Sequence, residues 1–202
     1  MFKSTTALLA TSAIVSLAAS VASADVTFSD VVIGGSLAGG ATWNDSTLNG
    51  IDFVFPDATV GDVNGLTDGD ISISFYGHSS EAGIGSSSVL LSVLGALSGS
   101  GTIDFSELVY DADTGTLIAD YQATFDSFDD LPASSDIAFD YAAANIYVVK
   151  YLRLSAVDTD AFDFANVSLV EQDFSENEIP APATGLLLGA GGLLLSTRRR
   201  RA

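Results

Sequence analysis

IYVVKYLRL at residues 146–154 alternates between two kinds of side chain. Every even position except Lys150 is aliphatic, so these side chains would share one face of an extended strand. The opposite face would carry Tyr147, Val149, Tyr151 and Arg153. Alternation with a period of two is typical of a β-strand with one buried face. The stretch therefore predicts a strand that packs on a core, with a lysine on its buried side.

Similar but shorter apolar runs surround this stretch on both sides. They lie at residues 26–28, 51–55, 71–75, 103–105, 117–121, 137–139 and 165–170. Turn-forming residues separate them, and Gly115 after Asp111 and Asp113 suits the left-handed position of a hairpin. About nine or ten strands at this spacing predict an all-β fold, a β-sandwich of the jelly-roll type, over residues 25–174.

Charge is distributed unevenly along the 202 residues. There are 26 acidic and 7 basic residues, which gives a formal net charge of −19. All the acidic residues lie between Asp25 and Glu178, where the only basic residues are Lys150 and Arg153. Nucleic-acid binding needs clustered cations, so the composition argues against it. The lack of cysteine excludes disulfides and cysteine–zinc sites.

The N-terminal 24 residues have the pattern of a secretory signal peptide. Lys3 supplies the positive charge, a short apolar core follows, and Ala22-Ser23-Ala24 supplies the small residues that signal peptidase requires. The apolar run is too short to span a bilayer. We therefore expect export, with cleavage by signal peptidase after Ala24.

The C-terminus divides into three parts. Residues 175–183 form an acidic, proline-stiffened linker that ends in Ile179-Pro180-Ala181-Pro182-Ala183. Residues 184–197 are an apolar helix candidate, about 21 Å long at the usual rise of an α-helix, and we expect it to enter the membrane as a transmembrane helix. Residues 198–202 follow, and the positive-inside rule predicts that Arg198, Arg199, Arg200 and Arg201 stay cytoplasmic.

This tripartite tail resembles the PEP-CTERM sorting signal, and is most similar to its variant with a Val-Pro-Leu-Pro-Ala motif. The first and third positions of that motif are Ile179 and Ala181 here. The resemblance implies an exosortase-like membrane protease-transpeptidase as a partner. It also implies that the protein comes from a Gram-negative bacterium and that its precursor is anchored in the inner membrane. The expected destination is the cell surface or the extracellular space, in association with exopolysaccharide and biofilm.

Two kinds of catalysis have candidate residues. His78 is the only histidine, and the glycine before it and the serines after it predict a loop position rather than a catalytic triad. The segment with Glu171, Asp173 and Glu176 resembles the E-x-D-x-x-E strand of laminarinase-like jelly-roll glycosidases in the spacing of its carboxylates. Glycoside hydrolysis needs two carboxylates at a set separation in a groove. A polysaccharide hydrolase that uses these carboxylates therefore stays open as an alternative.

Acidic loop clusters are candidate Ca²⁺ ligands, because calcium prefers several carboxylate and carbonyl oxygens. One candidate is the pair Asp111 and Asp113. The other is the group Asp158, Asp160 and Asp163. Neither has the spacing of an EF-hand, so calcium binding is a candidate role and no more. The sequence suggests no other cofactor.

The favoured reading is a non-catalytic cell-surface or matrix protein that binds exopolysaccharide or Ca²⁺. Trp43, Tyr110, Tyr121 and Tyr147 are candidate platforms for sugars, with core packing as the alternative role of each. An envelope structural subunit that assembles edge to edge is a further alternative, and it would require a long unprotected edge strand.

Overall fold

The computed structural model describes residues 25–47, 49–80, 83–91, 96–126, 130–157 and 162–177. This part of the chain forms thirteen β-strands, more than the nine or ten predicted. They are β1 (Val26–Gly34), β2 (Thr42–Thr47), β3 (Gly50–Val54), β4 (Thr59–Gly61), β5 (Asp68–Ser79), β6 (Gly83–Leu91), β7 (Ala96–Ser98), β8 (Thr102–Asp111), β9 (Leu117–Phe125), β10 (Ala133–Ala143), β11 (Asn145–Ser155), β12 (Phe164–Asn166) and β13 (Leu169–Asn177). Over these residues, no helix has the length and apolar character needed to span a membrane.

Ten of these strands form two antiparallel five-stranded sheets. The first sheet has the order β1-β5-β11-β8-β9, and the second has the order β10-β6-β13-β3-β2. From β3 onward, the strands of the sandwich alternate between the two sheets along the chain. The second sheet takes β3, β6, β10 and β13, and the first sheet takes β5, the β8–β9 hairpin and β11. This alternation between sheets is the jelly-roll arrangement. The all-β sandwich prediction is confirmed.

Strand β11 lies at the centre of the first sheet, between β5 and β8. Its aliphatic side chains at 146, 148, 152 and 154 are fully buried, and so is Lys150. Tyr147, Val149, Tyr151 and Arg153 lie on the outer face. The alternation read from the sequence is confirmed at each of these positions.

Four phenylalanine rings join the two sheets through the core. Phe28 and Phe75 belong to the first sheet, and Phe53 and Phe174 belong to the second. The Phe75 ring centroid lies 5.6 Å from that of Phe53 and 6.2 Å from that of Phe174. Aromatic pairs at these separations stabilise a core beyond the area that they bury. The Phe75 ring is therefore a main contact between the sheets.

All four edge strands of the sandwich contain a register irregularity. The pairing shifts within β1 after Ser29, within β2 after Asp45 and within β10 after Ala138, and Ile118 is the extra residue in β9. Bulges of this kind twist an edge away from pairing with another chain. The long unprotected edge that the envelope-subunit hypothesis requires is not found among these strands.

Several local predictions need correction. His78 lies in strand β5 rather than in a loop. The predicted alternation through residues 165–170 is broken at Val167 and Ser168, where the chain leaves the three-stranded sheet β4-β12-β7 and enters the second large sheet. As a result Val170 is buried, whereas Leu169 is half-buried. Strand β13 also continues to Asn177, beyond the domain end expected at residue 174.

The targeting predictions lie outside the described residues. This applies to the signal peptide with Ala22 and Ala24, to the motif at residues 179–183, and to the apolar and arginine-rich segments after it. It also applies to Asp158 and Asp160.

Candidate functional site

Three tyrosines lie side by side on the outer face of the first sheet. Tyr147 of β11 is in register with Tyr76 of β5 on one side and with Tyr110 of β8 on the other. The Tyr147 ring centroid lies 4.8 Å from that of Tyr76 and 6.4 Å from that of Tyr110. We call these residues the tyrosine row. They come together because each occupies an outward position on one of three adjacent strands.

The tyrosine row lines an open cleft of about 380 Å³. The opposite wall is the hairpin turn between β8 and β9, where Gly115 has a φ of 73° and its amide donates to the carbonyl of Asp111. Val149 forms part of the floor. The predicted left-handed turn at Gly115 is confirmed, and it holds this wall beside the rings.

A polar network adjoins the Tyr76 end of the row. His78 Nδ1 and Asn145 Oδ1 are 2.5 Å apart, and Asn145 Nδ2 donates to both carboxylate oxygens of Asp113 at 3.1 and 2.9 Å. These three residues and Tyr76 line a second open cleft of about 350 Å³, together with Ser29 and Asp30 of β1. Histidine, amide and carboxylate groups beside an aromatic ring can bind hydroxyl groups of a ligand.

A third depression, of about 320 Å³, lies further along the same face. Tyr151, which is 44% exposed, forms one side of it. Ser106, Gln122 and Thr124 line it from the neighbouring strands, and Thr124 Oγ1 donates to Asp104 at 2.7 Å. The outer face of this sheet therefore carries aromatic rings and hydrogen-bonding side chains along much of its length.

The other two sequence-predicted platforms lie elsewhere. Tyr121 is half-buried and packs against the core, with its ring centroid 6.0 Å from that of Phe105. Trp43 is 41% exposed on the edge strand β2 of the other sheet. Of the four candidates, only Tyr110 and Tyr147 share a surface, and the sequence reasoning missed Tyr76 as their neighbour. The alternation at residues 71–75 places Tyr76 on an outer face, but no sequence signal gives its register with Tyr147.

The candidate calcium ligands Asp111 and Asp113 already have protein donors. Asp111 Oδ1 accepts the amides of Asp113 and Thr114 at 2.9 and 3.3 Å, and Asp111 Oδ2 accepts the Tyr141 hydroxyl at 2.9 Å. Burial raises the pKa of the Asp111 carboxyl, but these hydrogen bonds outweigh it and the pKa lies below its usual value. The Asp111 carboxylate therefore caps the hairpin turn, and the Asp113 carboxylate accepts from Asn145.

Asp163, the described member of the other calcium candidate, is fully buried. Its Oδ1 accepts the Ser100 amide at 2.5 Å, and its own amide donates to Asp62 Oδ2 at 2.9 Å. Within the described ranges, no three histidine, cysteine or acidic side chains are grouped as metal ligands would be. Calcium binding stays a prediction.

Only two of the three carboxylates of the hydrolase alternative share a face of the second sheet. Glu171 and Asp173 lie on the outer face of the second sheet, where burial first, and then Asp52 and Asp173, raise the pKa of the Glu171 carboxyl. Glu176 is an odd number of residues from both, so strand alternation turns it to the opposite face, where its Oε1 accepts the Ser79 hydroxyl of β5 at 2.5 Å. Two carboxylates must flank one bond in glycoside hydrolysis. Glu176 cannot join the other two from this position.

No family model and no curated protein matches the chain. Several solved structures are similar in fold. One is the carbohydrate-binding module TmCBM61, solved with beta-1,4-galactotriose, with 7% identity, a TM-score of 0.37, and coverage of 74% of this chain and 90% of that one. A second, from work on carbohydrate-binding modules of the beta-sandwich superfamily, has 8% identity, a TM-score of 0.33, and coverage of 77% and 57%.

A third is a family 11 carbohydrate-binding module from Clostridium thermocellum, solved with a beta-1,3-1,4-mixed-linked tetrasaccharide. It has 12% identity and a TM-score of 0.27, and the match covers 78% of this chain and 98% of that one.

Proposed function

We propose that this protein binds a neutral polysaccharide, without cleaving it, on the outer face of its first sheet. The observation that carries the proposal is the tyrosine row, in which three rings on adjacent strands line one open cleft. Tyrosine suits such a surface because its ring is rigid and amphipathic, and little conformational entropy is lost when a ligand covers it. Its hydroxyl can both donate and accept a hydrogen bond.

Polar side chains around the rings support the same ligand class. His78 and Asn145 flank the Tyr76 end of the row, and Ser106, Gln122 and Thr124 lie beside Tyr151. Binding sites for small or extended ligands commonly combine aromatic rings with a few polar groups that fix orientation. Sugar rings offer both apolar faces and hydroxyl groups, so they fit this combination.

The charge of the face favours a neutral ligand. Asp30 and Asp113 line one cleft and Asp104 lines another, whereas the cation of this face, Arg153, has Asp68 Oδ2 3.6 Å from its guanidinium. Like charges across a binding surface cost affinity. We therefore expect weak binding of anionic polymers unless a divalent cation bridges them to the aspartates.

Affinity electrophoresis of the full-length chain in detergent would test the proposal. Gels would contain neutral glucans, galactans or mannans, or the anionic polymers alginate and polygalacturonate, with and without CaCl₂. We expect at least one neutral polymer to retard the protein in the absence of calcium. Unchanged migration in every neutral gel would contradict the proposal. Retardation by anionic polymers only, and only with CaCl₂, would support calcium bridging instead.

We further propose that the protein reaches the cell surface or matrix through an exosortase-type system, as a precursor held in the inner membrane. The support is the sequence of residues 1–24 and 179–202. Replacing both Pro180 and Pro182 by alanine is expected to leave the precursor in the inner-membrane fraction, because the sorting motif would be lost. The fractions would be compared by immunoblotting, and normal surface delivery of this variant would contradict the sorting proposal.

A further inference from the structure

Three polar side chains from three strands meet in the apolar core of the sandwich. Lys150 of β11 and Glu107 of β8 are register partners in the first sheet, and Gln172 of β13 reaches them from the second sheet. All three residues are fully buried. Lys150 Nζ contacts Glu107 Oε2, and Gln172 Nε2 donates to Glu107 Oε1 at 2.6 Å. We call these residues the core trio.

The surroundings of Lys150 make loss of a proton from its ammonium group easier than in water. Burial lowers the pKa of the Lys150 ammonium group, and the adjacent Glu107 carboxylate only partly opposes this. The nearest ring is that of Phe105, whose centroid is 5.5 Å from Nζ. An unprotonated amine is a nucleophile, and desolvation in an apolar pocket is a common way to activate lysine.

Burial of the core trio as three unlinked side chains is unfavourable for the free energy of folding. A buried ion pair loses the hydration of both charges, and good geometry alone often fails to offset that loss. In addition, Gln172 Oε1 is buried and has no hydrogen-bond partner among the described residues. An unsatisfied buried acceptor is unfavourable.

We infer that Lys150 and Gln172 form an intramolecular amide crosslink between the two sheets, with Glu107 as the proton carrier. Lys150 Nζ gives a proton to Glu107 Oε2 and attacks Gln172 Cδ. The Nζ–Cδ bond forms, the Cδ–Nε2 bond breaks, and Nε2 leaves as ammonia. Of the three protons on the starting ammonium group, one stays on the new amide nitrogen, one stays on Glu107 and one leaves with the ammonia.

The contacts of Glu107 favour Gln172 over Glu107 as the electrophile. One oxygen of Glu107 contacts the attacking nitrogen and the other contacts the leaving nitrogen, which is the arrangement that proton transfer between them requires. If Lys150 attacked Glu107 instead, the core trio would have no second carboxylate to carry a proton from Nζ to the leaving oxygen. The trio therefore supports loss of ammonia rather than loss of water.

The product would also satisfy the buried groups better. The ion pair would be replaced by a neutral amide and a neutral carboxylic acid. The acid O–H of Glu107 could donate to Gln172 Oε1, which lacks a partner before reaction. Removal of charge from the core and satisfaction of the Gln172 acceptor are both favourable.

Peptide mapping of the full-length chain would test the crosslink. An endoproteinase that cleaves before aspartate separates the three residues into peptides 104–110, 140–157 and 163–172. We expect 140–157 and 163–172 to appear joined, at a mass lower than their sum by one ammonia molecule. Recovery of both peptides only in free form would overturn the inference. A joined pair of 104–110 and 140–157, lighter by one water molecule, would also overturn it.

Three variants sharpen the test. Lys150→Met and Glu107→Gln are both expected to yield only free peptides, the first through loss of the nucleophile and the second through loss of the proton carrier. Gln122→Met, on the outer face of β9, is the matched control and is expected to keep the joined pair. Full crosslinking in Glu107→Gln would overturn the role of Glu107, and loss of the crosslink in Gln122→Met would overturn its assignment to Gln172.

Discussion

Replacing Tyr147 by alanine is expected to lower the affinity for the polysaccharide by about tenfold to a hundredfold. Tyr147 is the middle ring of the tyrosine row, so its removal takes away one contact surface and also the support of Tyr76 and Tyr110 on either side. Residues at the centre of a binding surface usually contribute most to its affinity. The retardation of the full-length variant would be measured over a series of polymer concentrations.

Two further variants make this result specific. Tyr147→Phe keeps the ring and is expected to retain most of the affinity, which separates stacking from hydrogen bonding. Trp43→Ala removes an exposed aromatic side chain from the other sheet and is expected to bind like the wild type. Wild-type affinity in Tyr147→Ala, or a comparable loss in Trp43→Ala, would place the binding surface elsewhere.

Replacing Phe75 by alanine is expected to lower the free energy of unfolding by about 3–5 kcal/mol. The Phe75 ring is fully buried and contacts Phe28 of its own sheet and Phe53 and Phe174 of the opposite sheet. The substitution leaves a cavity between the sheets that packed strands can close only in part. Urea unfolding followed by tryptophan fluorescence would measure the loss.

Phe162→Ala is the matched control for this prediction. Phe162 is 57% exposed, and its ring contacts that of Phe164 at the end of the sandwich rather than the core cluster. We expect a change within about 0.5 kcal/mol, as is usual at exposed positions. Equal losses in the two variants would contradict the assignment of Phe75 to the contact between the sheets.

Local patterns in the sequence were sufficient for much of the fold. The alternation at residues 146–154 gave the buried and exposed faces of β11 correctly because side-chain direction in a strand depends only on parity. The predicted buried and exposed faces are wrong where an extra residue or a sheet crossing shifts the alternation. Ile118 in β9 and residues 167–168 before β13 each shift the phase of a strand. Bulges and sheet crossings depend on distant partners, so a local pattern does not reveal them.

The candidate site was predictable only in part for the same reason. Tyr110 and Tyr147 were recognised one at a time, but their pairing with Tyr76 is a consequence of strand order and register. Lys150 was likewise recognised as a charge on a buried face. Its contact with Glu107 depends on strand register within the first sheet, and the approach of Gln172 depends on the packing of the two sheets.

Ligand titration of the full-length chain with ring-labelled tyrosine, observed by NMR, would show directly whether the tyrosine row binds the polysaccharide. The chain has six tyrosines, and each gives its own ring signals. We expect saturable shifts for Tyr76, Tyr110 and Tyr147 when an oligosaccharide of the retarding polymer is added, with Tyr121 unchanged because it packs on the inner side against Phe105. Saturable binding that leaves the rings of the tyrosine row unshifted would contradict this expectation.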